Sequence, residues 1–452
     1  MKIIRKNVWR TYPECIDKVV KWSFWNDIIP YEEGWVICFN TRSGAIVMLS
    51  EEECSKCKEQ PCSVPDILAQ LGIVVSDDIN EKQEWNSEYK QGKEDTSFLD
   101  LTIVSTMQCQ FKCIYCFEGE KSNSVLTNET CAAIKSFMEK RAGTFNKLHV
   151  TWFGGEPLLG IKQIRKLSAF ILDFCKKHNI YYYADITTNG YALTSSRCNI
   201  LVNECNIKRY IITIDGTADV HNKRRPLFNG AGTFDVIWNN IATLVNINAE
   251  VTIRVTIDKT NAHNVKKLID QIADSAIAKK AGLVFVRTID CLFTPGSIKN
   301  TIYTIEEFAK IEMEFIKYSY SKGILKYTTP GPCPLGGCLR SGDVVIGTQG
   351  EIYKCLDTIG DEQWITGHIS DDNESTDAEW YQDWLSWEPS NNAICAVCKL
   401  QPLCNGGCPH NVLFSSKKHG TNNQCPDWKS NYKESIQLYV TEKLQTHEYQ
   451  EI

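Results

Sequence analysis

Between Leu99 and Val286 the sequence alternates six times between short, β-rich apolar runs and longer segments with helical spacing. Six strand-then-helix units predict parallel strands joined by helical crossovers, because a parallel connection needs a dozen or more residues. The α/β pattern fits an open doubly wound sheet or a barrel, and six units fall short of the eight of a closed barrel. The predicted strands lie at Leu99–Val104, Leu148–Phe153, Tyr182–Thr187, Tyr210–Ile214, Val251–Thr256 and Leu283–Val286.

Residues 1–94 are predicted to form a small α+β module ahead of this region. The apolar runs Trp35–Asn40 and Ala45–Ser50 flank a Gly-containing turn and indicate a hairpin. Ile67–Val75 indicates a short helix that ends at a glycine and is followed by extended chain. Asp77–Asp95 is polar and charged, which predicts a linker.

Two boundaries follow from these changes of pattern. Residues 95–326 carry the alternating units, and residues 327–452 mix turn formers, short strands, tryptophans and cysteines. The last region has few apolar runs, so we expect it to have little apolar core of its own and to need metal sites for stability. A chain of 452 residues is too long for one core, in agreement with several domains.

The net charge and the first residues of the chain limit the partners and the location that we expect for this protein. The formal net charge of -6 does not favour nucleic acid or an anionic membrane surface as a partner. The first ten residues, MKIIRKNVWR, lead into no sustained apolar run, which argues against a signal peptide. No stretch is long and apolar enough to span a bilayer. We therefore expect a cytoplasmic protein that acts without nucleic acid or membrane.

Cysteine is unusually frequent, at 21 residues. The cytosol keeps thiols reduced, so clustered cysteines are better explained as metal ligands than as disulfides. Two dense groups, Cys109–Cys116 and Cys333–Cys425, contain eleven of them. Most of the others are isolated and are expected to be small buried residues. Cys54, Cys57 and Cys62 lack a clear fourth ligand and are predicted to bind no metal.

The first dense group has the spacing CxxxCxxC and follows the first predicted strand. In parallel α/β folds, active sites lie at the carboxyl ends of the strands. The thiolates of Cys109, Cys113 and Cys116 are enough to hold three irons of a four-iron cluster and leave the fourth iron open to a ligand. The alternative from spacing alone is a zinc site with three cysteines and a distant fourth ligand.

This group and the later strand ends together resemble the radical S-adenosylmethionine (SAM) superfamily. The second strand ends in FGGEP (Phe153–Pro157), the third in TTNG (Thr187–Gly190) and the fourth in TIDG (Thr213–Gly216), and the fifth carries Arg254. Taken singly, the first two are ordinary turns and Arg254 is a structural charge. The resemblance implies a partial (β/α)6 TIM-like barrel.

The resemblance also implies an activity and a cofactor site. A [4Fe-4S] cluster on Cys109, Cys113 and Cys116 would pass an electron into SAM and yield methionine and a 5′-deoxyadenosyl radical that removes a substrate hydrogen. An electron donor such as flavodoxin or ferredoxin is implied. The FGGEP turn would receive the cofactor's amino group, Tyr115 the adenine, and Thr213, Asp215 and Arg254 the ribose and carboxylate. The implied SAM-binding residues are Tyr115, Gly154, Gly155, Glu156, Pro157, Asn189, Thr213, Asp215 and Arg254.

The second dense group resembles the SPASM domain, a cysteine-rich extension of radical enzymes that modify peptides. Its spacing is Cys338-x11-Gly350-x4-Cys355, then CxxCx5Cx3C from Cys395, then Cys425, and Cys333 stands just upstream. The resemblance implies two auxiliary [4Fe-4S] clusters, and three clusters in all. Two four-cysteine zinc sites are the alternative. The implied ligands are Cys333, Cys338, Cys355 and Cys408 for the first auxiliary cluster, and Cys395, Cys398, Cys404 and Cys425 for the second.

Three functions are compatible with these features. The first is maturation of a ribosomally made precursor peptide by a thioether, a carbon–carbon cross-link or epimerisation. The second is an anaerobic sulfatase-maturing enzyme, which forms formylglycine; that class usually has Asp directly after the cysteine matching Cys355, where this chain has Leu356. Residues 1–94 favour the first, because they resemble leader-peptide recognition domains, which bind a leader at a sheet edge. The third is a zinc-binding interaction protein without enzymatic activity.

Overall fold

The computed structural model describes most of the chain. The described residues are 1–6, 9–10, 19–61, 65–116, 118, 122–278, 280–290, 294–332, 335–336, 338–371, 378–419 and 425–451. Cys333 and Cys62, both discussed above, lie outside them. Within these ranges, no helix combines the length and the apolar character needed to cross a membrane.

The described elements fall into two compact units, which comprise residues 94–326 with 336–382, and residues 1–93 with 327–335 and 383–452. The three-part division expected from the sequence stays a prediction. The strands are β1 Lys2–Arg5, β2 Val20–Trp22, β3 Asn26–Pro30, β4 Trp35–Asn40, β5 Ile46–Ser50, β6 Val74–Ser76, β7 Phe98–Thr106, β8 Lys147–Gly154, β9 Tyr181–Thr188, β10 Ile207–Thr213, β11 Glu250–Ile257, β12 Ala281–Arg287, β13 Val344–Ile346, β14 Glu351–Tyr353, β15 Gly367–His368 and β16 Gln450–Glu451. The helices are α1 Glu51–Glu59, α2 Ile67–Gln70, α3 Glu81–Glu94, α4 Asn128–Lys140, α5 Ile161–His178, α6 Ser195–Asn199, α7 Ala218–Arg224, α8 Phe234–Asn246, α9 Ala262–Ala273, α10 Gly296–Lys299, α11 Ile305–Ser321, α12 Glu379–Ser386, α13 Gln401–Cys404, α14 Pro409–His419 and α15 Tyr432–Gln445.

The six predicted strands form the centre of the larger unit. Strands β7 to β12 pair in parallel in chain order, and helices lie between them in sequence. The second neighbour of β7 is β13, not β12, so the six strands do not close on themselves. The parallel α/β core with a partial (β/α)6 barrel is therefore confirmed.

The two faces of the parallel sheet differ in polarity, because successive side chains of a strand point to opposite faces. One face is apolar and buried: Val150, Trp152 and Ile212 belong to the same hydrophobic core as Ile164 and Leu167 of helix α5. The opposite face carries polar residues. The side chains of Asp100, His149, Asp185 and Arg209 contact one another across four neighbouring strands. Thr213 and Arg254 lie on this polar face nearer the strands' carboxyl ends.

The smaller unit contains a five-stranded antiparallel sheet with the order β16-β1-β5-β4-β3. The predicted hairpin is formed by β4 and β5. Residues from the end of the chain complete this core, because Ile436 and Val440 of α15 pack with Ile37 and Phe39 of β4. These late helices bury their apolar residues against strands from the beginning of the chain, so the core that they form is a shared one.

The prediction of a linker at Asp77–Asp95 was wrong, because most of this segment is helix α3. Among its charged residues, helix α3 carries an aromatic pair at positions i and i+4. This spacing places two side chains on one helix face. Trp85 and Tyr89 lie 5.4 Å apart between ring centroids, and Trp85 lies 6.2 Å from the fully buried Trp25. Burial of these large rings stabilises the helix.

Candidate active site at the carboxyl ends of the parallel strands

The CxxxCxxC loop begins three residues after β7 ends at Thr106, at the carboxyl end of the parallel sheet. The end of helix α7 and the residues directly after it hydrogen-bond to the backbone of this loop. Lys112 N–H donates to the Pro226 carbonyl at 2.8 Å, and Ile114 N–H donates to the Arg224 carbonyl at 3.0 Å. Cys109, Cys113 and Cys116 are half-buried in this loop. Three thiols on one supported loop at the active-site end of the sheet fit the donor set of a four-iron cluster.

A site for a single metal ion has a different geometry from a site for a four-iron cluster. Among the described residues, no three Cys, His, Asp or Glu side chains are gathered closely enough to hold one metal ion. The assignment of Cys109, Cys113 and Cys116 as cluster ligands stays a prediction from their spacing and position.

The FGGEP turn lies directly against the start of the cysteine loop. Gly155 N–H donates to the Thr106 carbonyl at 3.0 Å, and Glu156 N–H donates to the Gln108 carbonyl at 2.8 Å. Gly154 has φ of +133°, and a Cβ there would lie 2.1 Å from the Thr106 carbonyl oxygen. A Cβ on Gly155 would lie 2.6 Å from the Gln108 oxygen. Both positions therefore require glycine, because a side chain would push the two backbones apart.

Glu156 connects the ends of the second and third parallel strands. Its carboxylate is fully buried and accepts hydrogen bonds from Thr188 Oγ1 at 2.6 Å, Asn189 N at 2.7 Å and Leu158 N at 3.0 Å. Burial raises the pKa of Glu156, and these hydrogen bonds oppose the rise. Asn189 Nδ2 is 4.0 Å from Cys109 Sγ, so this network reaches the cysteine loop. Pro157, the last residue of the motif, is buried and begins a 3-10 turn.

The hydroxyl of Tyr115 lies between the carboxylate of Asp215 and the guanidinium of Arg225. Its hydroxyl donates to Asp215 Oδ2 at 2.6 Å and accepts from Arg225 Nη1 at 2.7 Å. Asp215 is fully buried, and its oxygens also accept from Arg224 Nε at 3.2 Å and Thr256 N at 3.2 Å. Burial raises the pKa of the Tyr115 hydroxyl well above its usual value, so the phenol stays protonated. Asp215 thus lies behind Tyr115 and fixes its orientation; its predicted contact with the ribose stays a prediction.

No role was predicted for residues His221–Leu227, three of which are buried here: His221, Arg224 and Arg225. Arg224 Nη1 donates to both carboxylate oxygens of Asp258, at 2.9 and 3.0 Å. His221 Nδ1 accepts the Asp215 N–H at 3.3 Å, so its ring proton faces Thr233 Oγ1 at 3.2 Å. Burial lowers the pKa of His221 well below its usual value, and the neighbouring arginines lower it further. The available signal in the sequence was the run of three adjacent basic residues, Lys223, Arg224 and Arg225.

Arg254 carries a positive charge that the described residues leave without a partner. It lies opposite Thr213 in the register of β10 and β11. No hydrogen bond or ion pair to its guanidinium is found in the described part of the chain, and its Nε atom is buried. The buried Oε1 atom of Gln110, in the cysteine loop, also lacks a partner there. A guanidinium in this condition fits a carboxylate-bearing ligand, because buried charges are normally paired.

The predicted auxiliary ligands are divided between the two units. Cys338 and Cys355 belong to the barrel unit, and Cys408 belongs to the smaller unit. All four predicted ligands of the second auxiliary cluster lie in the smaller unit. These ligands are Cys395, Cys398, Cys404 and Cys425. Burial raises the pKa of Cys395, and the nearby Cys398 and Cys425 raise it further.

A lysine accompanies this second set. Lys429 Nζ lies 3.2 Å from Cys425 Sγ. Burial alone would lower the pKa of Lys429, but the neighbouring sulfurs of Cys398 and Cys425 raise it. Burial also raises the pKa of Cys404 to about 11. Cys395 and Cys398 share one turn, in which the Cys398 N–H donates to the Cys395 carbonyl at 2.9 Å.

Comparisons with known proteins agree with this geometry. The sequence model of the Radical SAM superfamily matches residues 103–272. The chain is 25% identical over 388 residues to a cysteine-type anaerobic sulfatase-maturating enzyme from Clostridium novyi (strain NT), which covers 76% of this chain and 97% of the relative.

Two solved structures share the fold. One is anSMEcpe with bound AdoMet and the Cp18Cys peptide, with a TM-score of 0.57, 20% identity, and coverage of 77% of this chain and 98% of the other. The second is Streptococcus suis SuiB bound to the precursor peptide SuiA, with a TM-score of 0.50, 15% identity, and coverage of 87% and 97%. At these identities the likeness shows a common fold.

Proposed function

We propose that this chain, a radical SAM enzyme whose residues 103–272 form the radical SAM domain, modifies a ribosomally made peptide. The observation that carries the radical chemistry is a convergence at one end of the sheet. The cysteine loop, the FGGEP turn and the unpaired Arg254 all lie at or near the carboxyl ends of the parallel strands. A [4Fe-4S] cluster and SAM, when bound there, supply one-electron cleavage of the cofactor.

The chain's own residues would bind and orient these groups. Cys109, Cys113 and Cys116 would hold the cluster, and Arg254 would pair with the carboxylate of SAM. The FGGEP turn would approach the methionine part closely because its glycines carry no side chain. Tyr115 would present a fixed ring to the adenine, since Asp215 and Arg225 hold its hydroxyl. Thr213 and Asn189 would complete the site.

Two features support a peptide as the substrate. Structures that share this fold have been solved with bound peptides, namely anSMEcpe with Cp18Cys and SuiB with its precursor SuiA. The cysteines of residues 327–452 resemble the SPASM extension of peptide-modifying enzymes, with enough thiols for two auxiliary clusters. An electron donor such as flavodoxin or ferredoxin is part of the proposal.

A second candidate function is sulfatase maturation, in which a Cys or Ser becomes formylglycine. The Clostridium novyi relative favours it, because the similarity extends over 76% of this chain. The residue after Cys355 favours precursor maturation, because it is Leu356, where sulfatase-maturing enzymes usually have Asp. Asp357 follows it on a one-turn 3-10 helix and is exposed.

We further propose that residues 1–94 bind the leader of the precursor. A leader strand cannot add to the hairpin of β4 and β5, because this hairpin has no free edge: β4 lies between β3 and β5, and β5 lies between β4 and β1. The next edge, β3, is occupied too. Its Asn26 carbonyl accepts from Lys399 Nζ and its Pro30 carbonyl from Gln437 Nε2, each at 2.6 Å. A proline also lacks the N–H that strand addition needs.

Hydrogen exchange of the full enzyme with and without the leader peptide tests this role. Binding to the module should slow exchange of amides within residues 1–94, and a leader that protects only amides outside this range would contradict it. Truncation is a poor test, because residues 1–93 share a core with helix α15.

The function itself is tested by anaerobic turnover of two substrates. Candidate precursor peptides come from short reading frames beside the gene, and the comparison substrate is a sulfatase-derived peptide with the target Cys or Ser. Precursor maturation predicts SAM-dependent loss of two hydrogens from the precursor for a cross-link, or a changed stereocentre for epimerisation. Formylglycine in the sulfatase peptide, with no change in any precursor, would favour the second candidate. Cys113→Ala enzyme is the control for radical initiation.

A further inference from the structure

A β-hairpin connects two of the predicted ligands of the first auxiliary cluster. Cys338 precedes β13, the chain turns back through β14, and Cys355 follows two residues after β14 ends. Strand β13 extends the parallel sheet, because its Val344 pairs with Leu101 of β7. The base of this hairpin therefore stands beside the strand that leads to the catalytic cysteine loop.

Lys354, which immediately precedes Cys355, closes the base of the hairpin. Its side chain is buried, with 3% of the residue exposed. The ammonium donates to the carbonyl oxygens of Asp343 at 2.7 Å, Ser341 at 2.8 Å and Arg340 at 3.4 Å. An ammonium has three N–H donors, enough for one hydrogen bond to each of these carbonyls. Lys354 thus connects the residue before Cys355 to the turn that follows Cys338.

A buried ion pair ties the same turn to the start of β7. Arg340 Nε lies 3.3 Å from Asp343 Oδ2, and Arg340 Nη2 donates to the carbonyls of Asp95 and Phe98. Asp343 is fully buried and its Oδ1 accepts from the Asp100 N–H at 2.9 Å. The turn is therefore fixed from two sides, by Lys354 and by the strand.

We propose that Lys354 is a positioning residue that holds Cys338 and Cys355 together as ligands of one auxiliary cluster. This inference rests on the proposed function, because it needs the auxiliary cluster. Burying an ammonium is unfavourable unless it is well hydrogen-bonded, and an apolar side chain of similar length would avoid that cost. A lysine is favoured at this position because its three hydrogen bonds to backbone carbonyls set the distance between the two ends of the hairpin. Without them, the turn after Cys338 gains conformations that the cluster must select against on binding.

The test compares Lys354→Met with the wild type, both purified and reconstituted without oxygen. Methionine keeps the length of the side chain but removes its charge and its three donors. We expect the variant to lose about one third of its iron, one of three four-iron clusters. The EPR signal of the SAM-binding cluster should remain, the auxiliary signal should be lost, and Lys354→Arg should recover part of the iron. Lys208→Met is the matched control, because Lys208 also donates to a backbone carbonyl, that of Val202 at 2.9 Å.

Three results would overturn the inference. Full iron content and an unchanged auxiliary signal in Lys354→Met would show that the lysine positions no ligand. Loss of all cluster signals together, with a lower unfolding midpoint of the protein, would show a general structural role. Wild-type enzyme that contains iron for only one cluster would overturn the proposed auxiliary clusters and, with them, this inference. The iron content of the wild type alone reveals this outcome, so it is distinguished from a failure of the role of Lys354 before any variant is made.

Discussion

The polar network on the sheet's polar face makes a testable prediction about stability and pH. His149 on β8 lies between two carboxylates, with Nδ1 2.9 Å from Asp100 Oδ1 and Nε2 2.9 Å from Asp185 Oδ2. Its ring stacks on Tyr183 with 4.4 Å between centroids. Burial alone would lower the pKa of His149, but the two carboxylates raise it to about 9. Both ring nitrogens then carry protons at neutral pH.

The sign of the effect follows from the pKa values of the two states. The folded protein keeps the His149 proton up to about pH 9, whereas the unfolded chain releases it near the ordinary value of 6.5. The stabilisation is therefore fully present below pH 6.5 and is lost as pH rises through about 9. At 1.36 kcal/mol per unit, this difference corresponds to at most about 3 kcal/mol of the free energy of unfolding.

Urea unfolding of the reconstituted enzyme, measured without oxygen between pH 6 and pH 9.5, tests this value. The difference in unfolding free energy between wild type and His149→Gln should be largest at pH 6 and should shrink by up to about 3 kcal/mol at pH 9.5. His263→Gln is the control, because His263 is exposed on α9 and makes no hydrogen bond or ion pair within the described ranges. A difference between wild type and His149→Gln that does not change with pH would refute the reasoning.

Two further predictions concern the cofactor site. Arg254→Gln should weaken SAM binding by about 10- to 100-fold, the loss expected for a charge-assisted hydrogen bond, and unchanged affinity in equilibrium binding would contradict the assignment. Gly155→Ala should reduce SAM cleavage at least about tenfold, because its Cβ would lie 2.6 Å from the Gln108 oxygen. Gly296→Ala is its control, since nothing lies within 4 Å of a Cβ there, and equal activity of the two variants would contradict the tight fit.

The barrel could be predicted from the sequence because its signals are local. Each parallel strand is a short apolar run, and each crossover is a segment with helical spacing, so pattern alone locates both. The site motifs follow the strand ends, and parallel strands bring their carboxyl ends to one edge. The positions of the CxxxCxxC loop and the FGGEP turn therefore followed from the sequence.

What could not be predicted depends on contacts between distant residues. Helix α3 was taken for a linker because its charges outnumber Trp85 and Tyr89, and only Trp25, sixty residues earlier, explains their burial. The core that Ile436 and Val440 share with strands from the beginning of the chain could not be predicted either, because its two parts lie far apart in the sequence.

Polar contacts over long distances were missed for the same reason. Arg225 has a role only because folding brings it to Tyr115, 110 positions away in the sequence. The hydrogen bonds of Lys354 likewise depend on the turn formed by the hairpin of β13 and β14. Neither contact has a sequence pattern of its own.

The central claim is that the loop Cys109–Cys116 holds the cluster that cleaves SAM. The most direct measurement is the amount of 5′-deoxyadenosine released by dithionite-reduced enzyme in the absence of oxygen, for the wild type, Cys113→Ala and Cys131→Ala. Cys131 is the control because it is buried in the core of the same domain and outside the cysteine loop. We expect release from the wild type and Cys131→Ala and none from Cys113→Ala. Release of 5′-deoxyadenosine by Cys113→Ala at the wild-type rate would contradict the claim.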